Sequence, residues 1–280
     1  MHSGGGIARP QAVTPRTTMR WWRRATLQPP QRSLRWTRAG PRIWFPDWSV
    51  VKRDEVVKVL EQTTLFGGLD GAILEALAAS CLERVYARDH FLWYQGDPGD
   101  RLVIIARGLV KVVVHSSNGD QMVLATLGPP EILGELALID QGPRSASVVA
   151  AETTTALSIG RSTLLDVVRR NPTLLEALLM SIGALLRRLT EQASDLVFLD
   201  LAGRVAKLLV RLSDDHGQSN DGEMTIDLRL TQTDLANMVG ASRPALNRVL
   251  QGLVARHLVA VNGHTIIIRD LTALRRRAGL

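Results

Sequence analysis

The stretch GELALIDQGPRSAS, residues 134–147, sets a carboxylate at Glu135 and a guanidinium at Arg144 among small and apolar neighbours. Two lone charges this close in sequence can simply pair across a turn, and these residues alone leave that reading open. A second chemically equipped set lies in LTQTDLANMVGASRPALNRVLQGLVARHLVAVNGHTIIIR, residues 230–269, where Arg243, Asn247 and Arg248 sit opposite the apolar face of Ala245, Leu246, Val249, Leu250 and Leu253. An arginine fork can bond O6 and N7 of guanine together, and asparagine can do likewise to adenine, so this helix carries the chemistry of base reading in the DNA major groove.

The elements that must position this second set are written in the same stretch. Thr231 is a helix cap with Asp234 three positions later, QTDLANMV supplies one short helix, and Gly240 breaks it where a left-handed residue is needed. Ser242 caps the next helix, RPALNRVLQGLVAR, and a hairpin, LVAVNGHTIII, follows. Two helices joined by a glycine turn and followed by a hairpin predict a winged helix-turn-helix. Helix N-termini and the Thr231 and Ser242 hydroxyls are suited to phosphates, and His264 in the hairpin turn joins the DNA-facing set. Any one arginine could be an ordinary solvated charge. From residue 231 onward, however, seven arginines face only Asp234 and Asp270, a local charge of +5.

Upstream, RDEVVKVLEQTTLF and LDGAILEALAASCLER carry apolar residues at three-and-four spacing and predict two short helices, with Cys81 as an inert buried residue on the second. The period then drops to two. RLVIIARGLVKVVVHSSNGDQMVLATLG predicts successive strands with turns at Gly108 and Asn118-Gly119-Asp120, and SASVVAAE and TTALSIG add more. An antiparallel β-barrel or roll is the natural container. Helix returns in STLLDVVRRN and, past Pro172, in a long helix to about Leu199. Along it Leu178, Ile182, Leu185, Leu189, Gln192, Leu196 and Leu199 alternate steps of four and three, a heptad seam that predicts a parallel two-stranded pairing with Gln192 setting register. A further helix over 201–213, a polar loop SDDHGQSNDGE and a strand TIDLRL lead into the winged module.

The totals bound what the chain can be. At 280 residues it can hold two domains. One cysteine excludes an internal disulfide framework and any multi-thiolate zinc or iron-sulfur site, and no metal site is expected. No apolar run approaches a bilayer span and no clean secretory signal opens the chain, which predicts a cytoplasmic protein without membrane association. The net charge of +7 resides in residues 1–48, which hold nine arginines and one acid, so the remainder sums to −1. That segment also carries five of the six tryptophans and six of the twelve prolines without any period, and is expected to be disordered. Two readings of it stand: a basic arm touching nucleic acid or anionic lipid, and a translated upstream stretch foreign to the natural protein.

The combination resembles the cyclic AMP receptor protein (catabolite activator) branch of the Crp/Fnr transcription regulators. The residues that carry the resemblance are QGDPGDRLVIIARGLVKV, the Gly-Glu and Arg-Ser of 134–145, FLDLAGRVAKLL, and TQTDLANMVGASRPALNRVLQGL; it spans roughly 53–270 and is most specific at 198–268. It implies an α+β architecture: a cyclic-nucleotide-binding β-roll (jelly-roll-like) over 49–171, a dimerisation helix over 172–200 and a winged helix-turn-helix over 201–280. It further implies that amides of Gly134, Glu135, Leu136 and Ala137 face a cyclic phosphate, that Glu135 accepts from the ribose 2′-hydroxyl, and that Arg144 with Ser145 clamps the phosphate oxygens. The implied effector is cyclic AMP. The implied partners are double-stranded DNA with two-fold symmetric sites, a second copy of the chain, and RNA polymerase.

Two departures from the family pattern matter. Where the family recognises adenine with two hydroxyls on the long helix stand Leu189 and Thr190, so only Thr190 retains the group. The family's Arg-Glu pair in the recognition helix is Arg243-Pro244, so the acceptor for a cytosine amino group is missing and the half-site is expected to relax there. Alternative effectors are cyclic GMP, or haem through His90 or His115, or none. No nucleophile-base set or phosphate-cradling glycine loop points to catalysis, and the chain is read as a regulator rather than an enzyme.

Overall fold

A computed structural model describes residues 52–220, 223–227 and 230–280; the expectations for residues 1–48 lie outside them. The chain enters through α1 (Arg53–Gln62) and α2 (Gly71–Ser80) and then builds strands β1 (Leu82–Tyr86), β2 (Phe91–Trp93), β3 (Arg101–Arg107), β4 (Val110–His115), β5 (Gln121–Leu127) and β6 (Ile132–Leu133). A one-and-a-half-turn helix α3 (Glu135–Asp140) interrupts them before β7 (Ser147–Ala150) and β8 (Thr154–Gly160). These strands form two four-stranded antiparallel sheets, β1-β8-β3-β6 and β2-β7-β4-β5. The expected roll is therefore present. The predicted hairpin at Asn118-Gly119 joins β4 to β5, with Gly119 at φ +87°.

β3 shows why the roll reads as a continuous apolar run. Leu102 and Ile104 pack toward α1 and α2, in a cluster with Leu60, Phe66 and Leu77, while Val103 and Ile105 face the second sheet with Val110 and Val148. A strand covered on both faces has no polar side. The second helix ends at Ser80, four residues short of the predicted stretch, so Cys81 stands half-buried at its C-cap and the following residues pair in β1 with β8. Burial pushes the Cys81 thiol up to about 11, in keeping with an inert role.

After α4 (Arg161–Arg170) comes the long helix α5 (Pro172–Phe198), opened by its proline. The heptad expectation meets a correction here. Leu178 is buried in the roll's own core, Ile182 packs on the same cluster, and Gln192 donates from Nε2 to the Leu124 carbonyl of β5 at 2.9 Å. The Gln192 side chain is thus engaged with the chain's own roll. The exposed apolar stripe is Leu175, Leu179, Leu186, Leu189 and Leu196, which keeps Leu189 and Leu196 of the predicted seam and departs from it at Leu179 and Leu186. The roll thus takes Leu178, Ile182 and Gln192 from the predicted seam and leaves Leu189 and Leu196 exposed.

The C-terminal module contains α6 (Leu201–His216), β9 (Gln218–Asn220), β10 (Glu223–Asp227), α7 (Gln232–Met238), α8 (Arg243–Ala255), β11 (Val259–Asn262), β12 (Thr265–Ile268) and α9 (Leu271–Arg277). The expected polar loop after residue 213 instead continues α6 to His216 and then forms an edge strand, and α9, capped by Asp270, was not foreseen. α9 lies on α6, and Arg277 reaches Asp200, the cap of α6, at 2.5 Å. Between roll and winged module, Lys111 of β4 pairs with Asp234 of α7 at 2.8 Å, both side chains nearly buried. Leu178→Ala, by opening a cavity in the roll's core, should cost about 2–5 kcal/mol in urea unfolding whatever the protein concentration; a loss that vanished at high dilution would return Leu178 to an intersubunit seam.

Candidate functional site

β6 delivers the chain to Gly134, whose φ of +86° turns it into α3. Glycine is required there twice over, because a Cβ would also collide with Nη1 of Arg144. α3 ends at Gln141, another left-handed residue (φ +56°), and Asp140 accepts from the Gly142 amide at 2.8 Å to make the turn. The chain then returns beside the loop that follows β2. Arg144 donates its amide to the Asp97 carbonyl at 2.8 Å and accepts at its own carbonyl from the Gly96 amide at 2.9 Å. Gly99 in that loop packs against Ala137 so tightly that a Cβ there would overlap the alanine methyl.

The Arg144 side chain is 6% exposed. Its Nη1 donates to the Gly134 carbonyl at 3.2 Å and its Nη2 to the Arg101 carbonyl at 2.8 Å, while Nε is buried without a partner. The guanidinium carbon lies 4.2 Å from the ring centroid of Trp93. Among the described residues no carboxylate forms an ion pair with it. The simple pairing of Glu135 with Arg144 is therefore not what the fold makes. Burial pulls the Arg144 guanidinium below its usual value, against the fields of Asp100, Glu135 and Asp97. Burial likewise raises the Glu135 carboxyl above the ordinary range, opposed by its backbone contacts and by Arg144.

The structure brings Gly134, Glu135, Ala137 and Arg144 together, with Leu136 half-buried on the same short helix and Ser145 exposed beside Arg144. Thr190 is elsewhere. It is exposed on α5 and donates to its own helix at the Leu186 carbonyl, 2.9 Å away. Sequence reasoning missed Trp93, Asp97 and Arg101; the one available signal was that Trp93 is the sole tryptophan beyond residue 48. His90 and His115 are both exposed on the roll.

In the winged module the capping box forms as predicted: Thr231 Oγ1 accepts from the Asp234 amide at 3.1 Å, and Asp234 accepts from the Thr231 amide at 2.9 Å. The Thr231 hydroxyl also donates to Asp234 at 2.8 Å, so its proton is already engaged. Burial drives the Asp234 carboxyl upward, but bonds from Lys111 and Thr231 outweigh it and hold it below its usual value. Gly240 adopts φ +63° and Ser242 caps α8 by accepting from the Ala245 amide at 3.4 Å. Arg243, Arg248 and His264 are exposed, with Arg243 loosely on Gln232 at 3.4 Å and His264 Nδ1 3.2 Å from the Leu230 carbonyl. Asn247 corrects the expectation: it is half-buried and its Oδ1 is enclosed without a partner, so it does not project freely beside the arginines.

Residues 83–171 match the cyclic nucleotide-binding domain family, and residues 203–277 match the Crp-like helix-turn-helix domain. The chain is 33% identical over 221 residues to the CRP-like cAMP-activated global transcriptional regulator of Mycobacterium tuberculosis, covering 79% of this chain and 99% of that one. It is 30% identical over 219 residues to the cyclic AMP receptor protein of Thermus thermophilus, with 78% and 98% covered. Among solved structures, the c-di-GMP responsive global regulator CLP of Xanthomonas campestris superposes with a TM-score of 0.63 at 26% identity, covering 72% of this chain and all of that one.

The raised Glu135 carboxyl has a stability consequence. Its folded form holds a proton more tightly than the unfolded chain does, so its contribution to stability declines as pH rises through the window above the ordinary carboxylate range. Glu135→Gln should therefore be more stable than the parent at neutral pH, with the advantage shrinking in mildly acidic buffer, as read by urea unfolding at both pH values.

Proposed function

The chain belongs to the Crp/Fnr family of DNA-binding transcription regulators, and from that premise we propose that cyclic AMP, held at Glu135 and Arg144, governs how a homodimer grips two-fold symmetric promoter DNA. The observation that carries this reading is a buried guanidinium whose Nε has no partner and which no carboxylate contacts. Such a charge is costly until an anion meets it, and a cyclic phosphate brings a fixed negative charge with several acceptor oxygens. Glu135, one residue after the left-handed glycine, supplies an acceptor suited to a ribose hydroxyl. Amides of Gly134, Glu135, Leu136 and Ala137 and the hydroxyl of exposed Ser145 are the remaining phosphate donors in this reading.

The coupling route is α5. Its outer stripe of Leu175, Leu179, Leu186, Leu189 and Leu196 offers a second copy of the chain an apolar surface in register. Thr190 beside that stripe is the adenine-facing hydroxyl in the assembled dimer. Ligand binding shifts the helix pair and, through Leu199 and Asp200, the placement of both α8 helices against half-sites about 34 Å apart. A coupling of about 1–3 kcal/mol suffices for regulation of this kind. Arg243 and Arg248 read bases, Ser242 and His264 meet the backbone, Thr231 does so once its hydroxyl turns from Asp234, and Asn247 must first leave its enclosed position to read adenine. The dimer acts in the cytoplasm and works with RNA polymerase at its promoters.

Calorimetric titration tests the ligand. Cyclic AMP should bind more tightly than cyclic GMP or cyclic di-GMP, and Arg144→Leu should weaken cyclic AMP by about 2–5 kcal/mol, because truncating one side of a buried charged contact strands the other. Unchanged binding in that variant would refute the site. For DNA, Arg243→Ala should cost about 1–3 kcal/mol and blur preference at one base pair in a binding-site selection; a uniform loss on all sequences would reduce Arg243 to a phosphate contact.

A further inference from the structure

Among the described residues Trp93 is the one aromatic ring at the Arg144 guanidinium, and the fold fixes its position at several points. It lies at the end of β2, where the pairing with β7 shifts register between Phe91 and Trp93. That irregularity turns the indole out of strict alternation. The indole Nε1 donates to the Ala146 carbonyl at 2.9 Å, two residues past Arg144. The next residues close the arrangement. The Gln95 amide donates to Ser147 Oγ at 2.8 Å, the Tyr94 amide donates to the Asp97 carboxylate at 2.9 Å, and the Asp97 carbonyl takes the Arg144 amide. The ring and the backbone of Arg144 are thus fixed to each other before the side chain is considered.

The side chain then has two kinds of neighbour. Carbonyls of Gly134 and Arg101 hold the two terminal nitrogens, and the indole covers the flat face at 4.2 Å. None of these carries a formal charge. An indole face is the best aromatic cation partner, and it occupies none of the in-plane N–H groups, of which Nε has no partner. A carboxylate in the same place would neutralise the guanidinium and compete with an anionic ligand.

We propose that Trp93 is a positioning residue for anion capture: its indole face stabilises the buried Arg144 guanidinium, which no carboxylate contacts, in the orientation that grips the ligand's phosphate. This rests on the reading of Arg144 as the phosphate-binding group. The ring acts through Arg144, touching the arginine rather than the phosphate, and its effect is electrostatic as well as steric.

The test uses the full chain and cyclic AMP as the probe. Trp93→Phe, which keeps an aromatic face, should bind within about three-fold of the parent, whereas Trp93→Leu should bind about 10- to 30-fold more weakly, the scale of a desolvated cation–π contact. In an Arg144→Leu background, Trp93→Leu should change the residual affinity by no more than about two-fold. A second measurement keeps fold and shape intact. Biosynthetic replacement of tryptophan by its mono-, di- and trifluoro forms drains the π-face while keeping the N–H donor, and cyclic AMP affinity should fall stepwise with fluorine content. Trp93→Phe carrying the same labels should show no such trend, which removes the five tryptophans of residues 1–48 from the comparison. Equal binding by Trp93→Leu, or a flat fluorination series, in a parent that binds cyclic AMP overturns the role of Trp93 alone. A parent that does not bind cyclic AMP overturns the reading of the site, and this inference with it.

Discussion

A positive charge held inside the roll without a negative partner is the constraint around which the N-terminal half is organised. Burying an ionised group costs several kcal/mol unless it is compensated, and proteins ordinarily compensate arginine with a carboxylate. Here the direct contacts are two carbonyls and an indole face, each weaker than an ion pair, with the fields of Asp100, Glu135 and Asp97 acting from farther off. The surrounding backbone must then be exact enough to hold the group. That demand accounts for the left-handed Gly134, the close approach of Gly99 to Ala137, and the strap from Gly96 and Asp97 to the backbone of Arg144. The same arrangement leaves the buried Nε without a partner, which is what a site for an anion requires and what a structural salt bridge would not retain.

The long helix is where this constraint meets the rest of the molecule. Its inner face is committed to the roll by Leu174, Leu178 and the bond from Gln192 to β5, and its outer face carries leucines open to solvent. At its end, Lys207 of α6 pairs with Glu191 at 2.6 Å and Asp195 at 2.8 Å, so the last turns of α5 are tied to the first helix of the winged module. Arg277 on α9 holds the cap residue Asp200 between them. A displacement of α5 therefore has polar connections to α6 as well as the covalent link. Lys111 and Asp234 add a direct contact between the roll and α7, and because Asp234 is also the capping-box residue of that helix, one carboxylate serves both the helix start and the junction.

The winged module was legible almost residue by residue because its signals are local. Caps at Thr231 and Ser242, the turn at Gly240 and the apolar spacing of α8 each act within a few positions of their cause. α9 escaped notice although Asp270 before LTALRRR is a cap signal, because a seven-residue helix is marginal until it packs on α6. Asn247 was misplaced for a related reason. Helical spacing gives an angle around the axis, but which part of the rim is covered depends on neighbours supplied by other elements.

By itself the sequence determined the kinds of element, their order, and the residue types available at Gly134, Glu135 and Arg144, since periodicity and caps are read over a few positions along the chain. The tertiary structure alone decided what those residues meet. Arg101 is 43 positions from Arg144, and Trp93 is 53 from the carbonyl that orients it. It also decided which residues of the predicted seam on α5 turn inward. Both are choices between faces already present in the sequence, and burial against a distant surface makes them, because the free energy of covering apolar or charged groups depends on the partner and not on spacing.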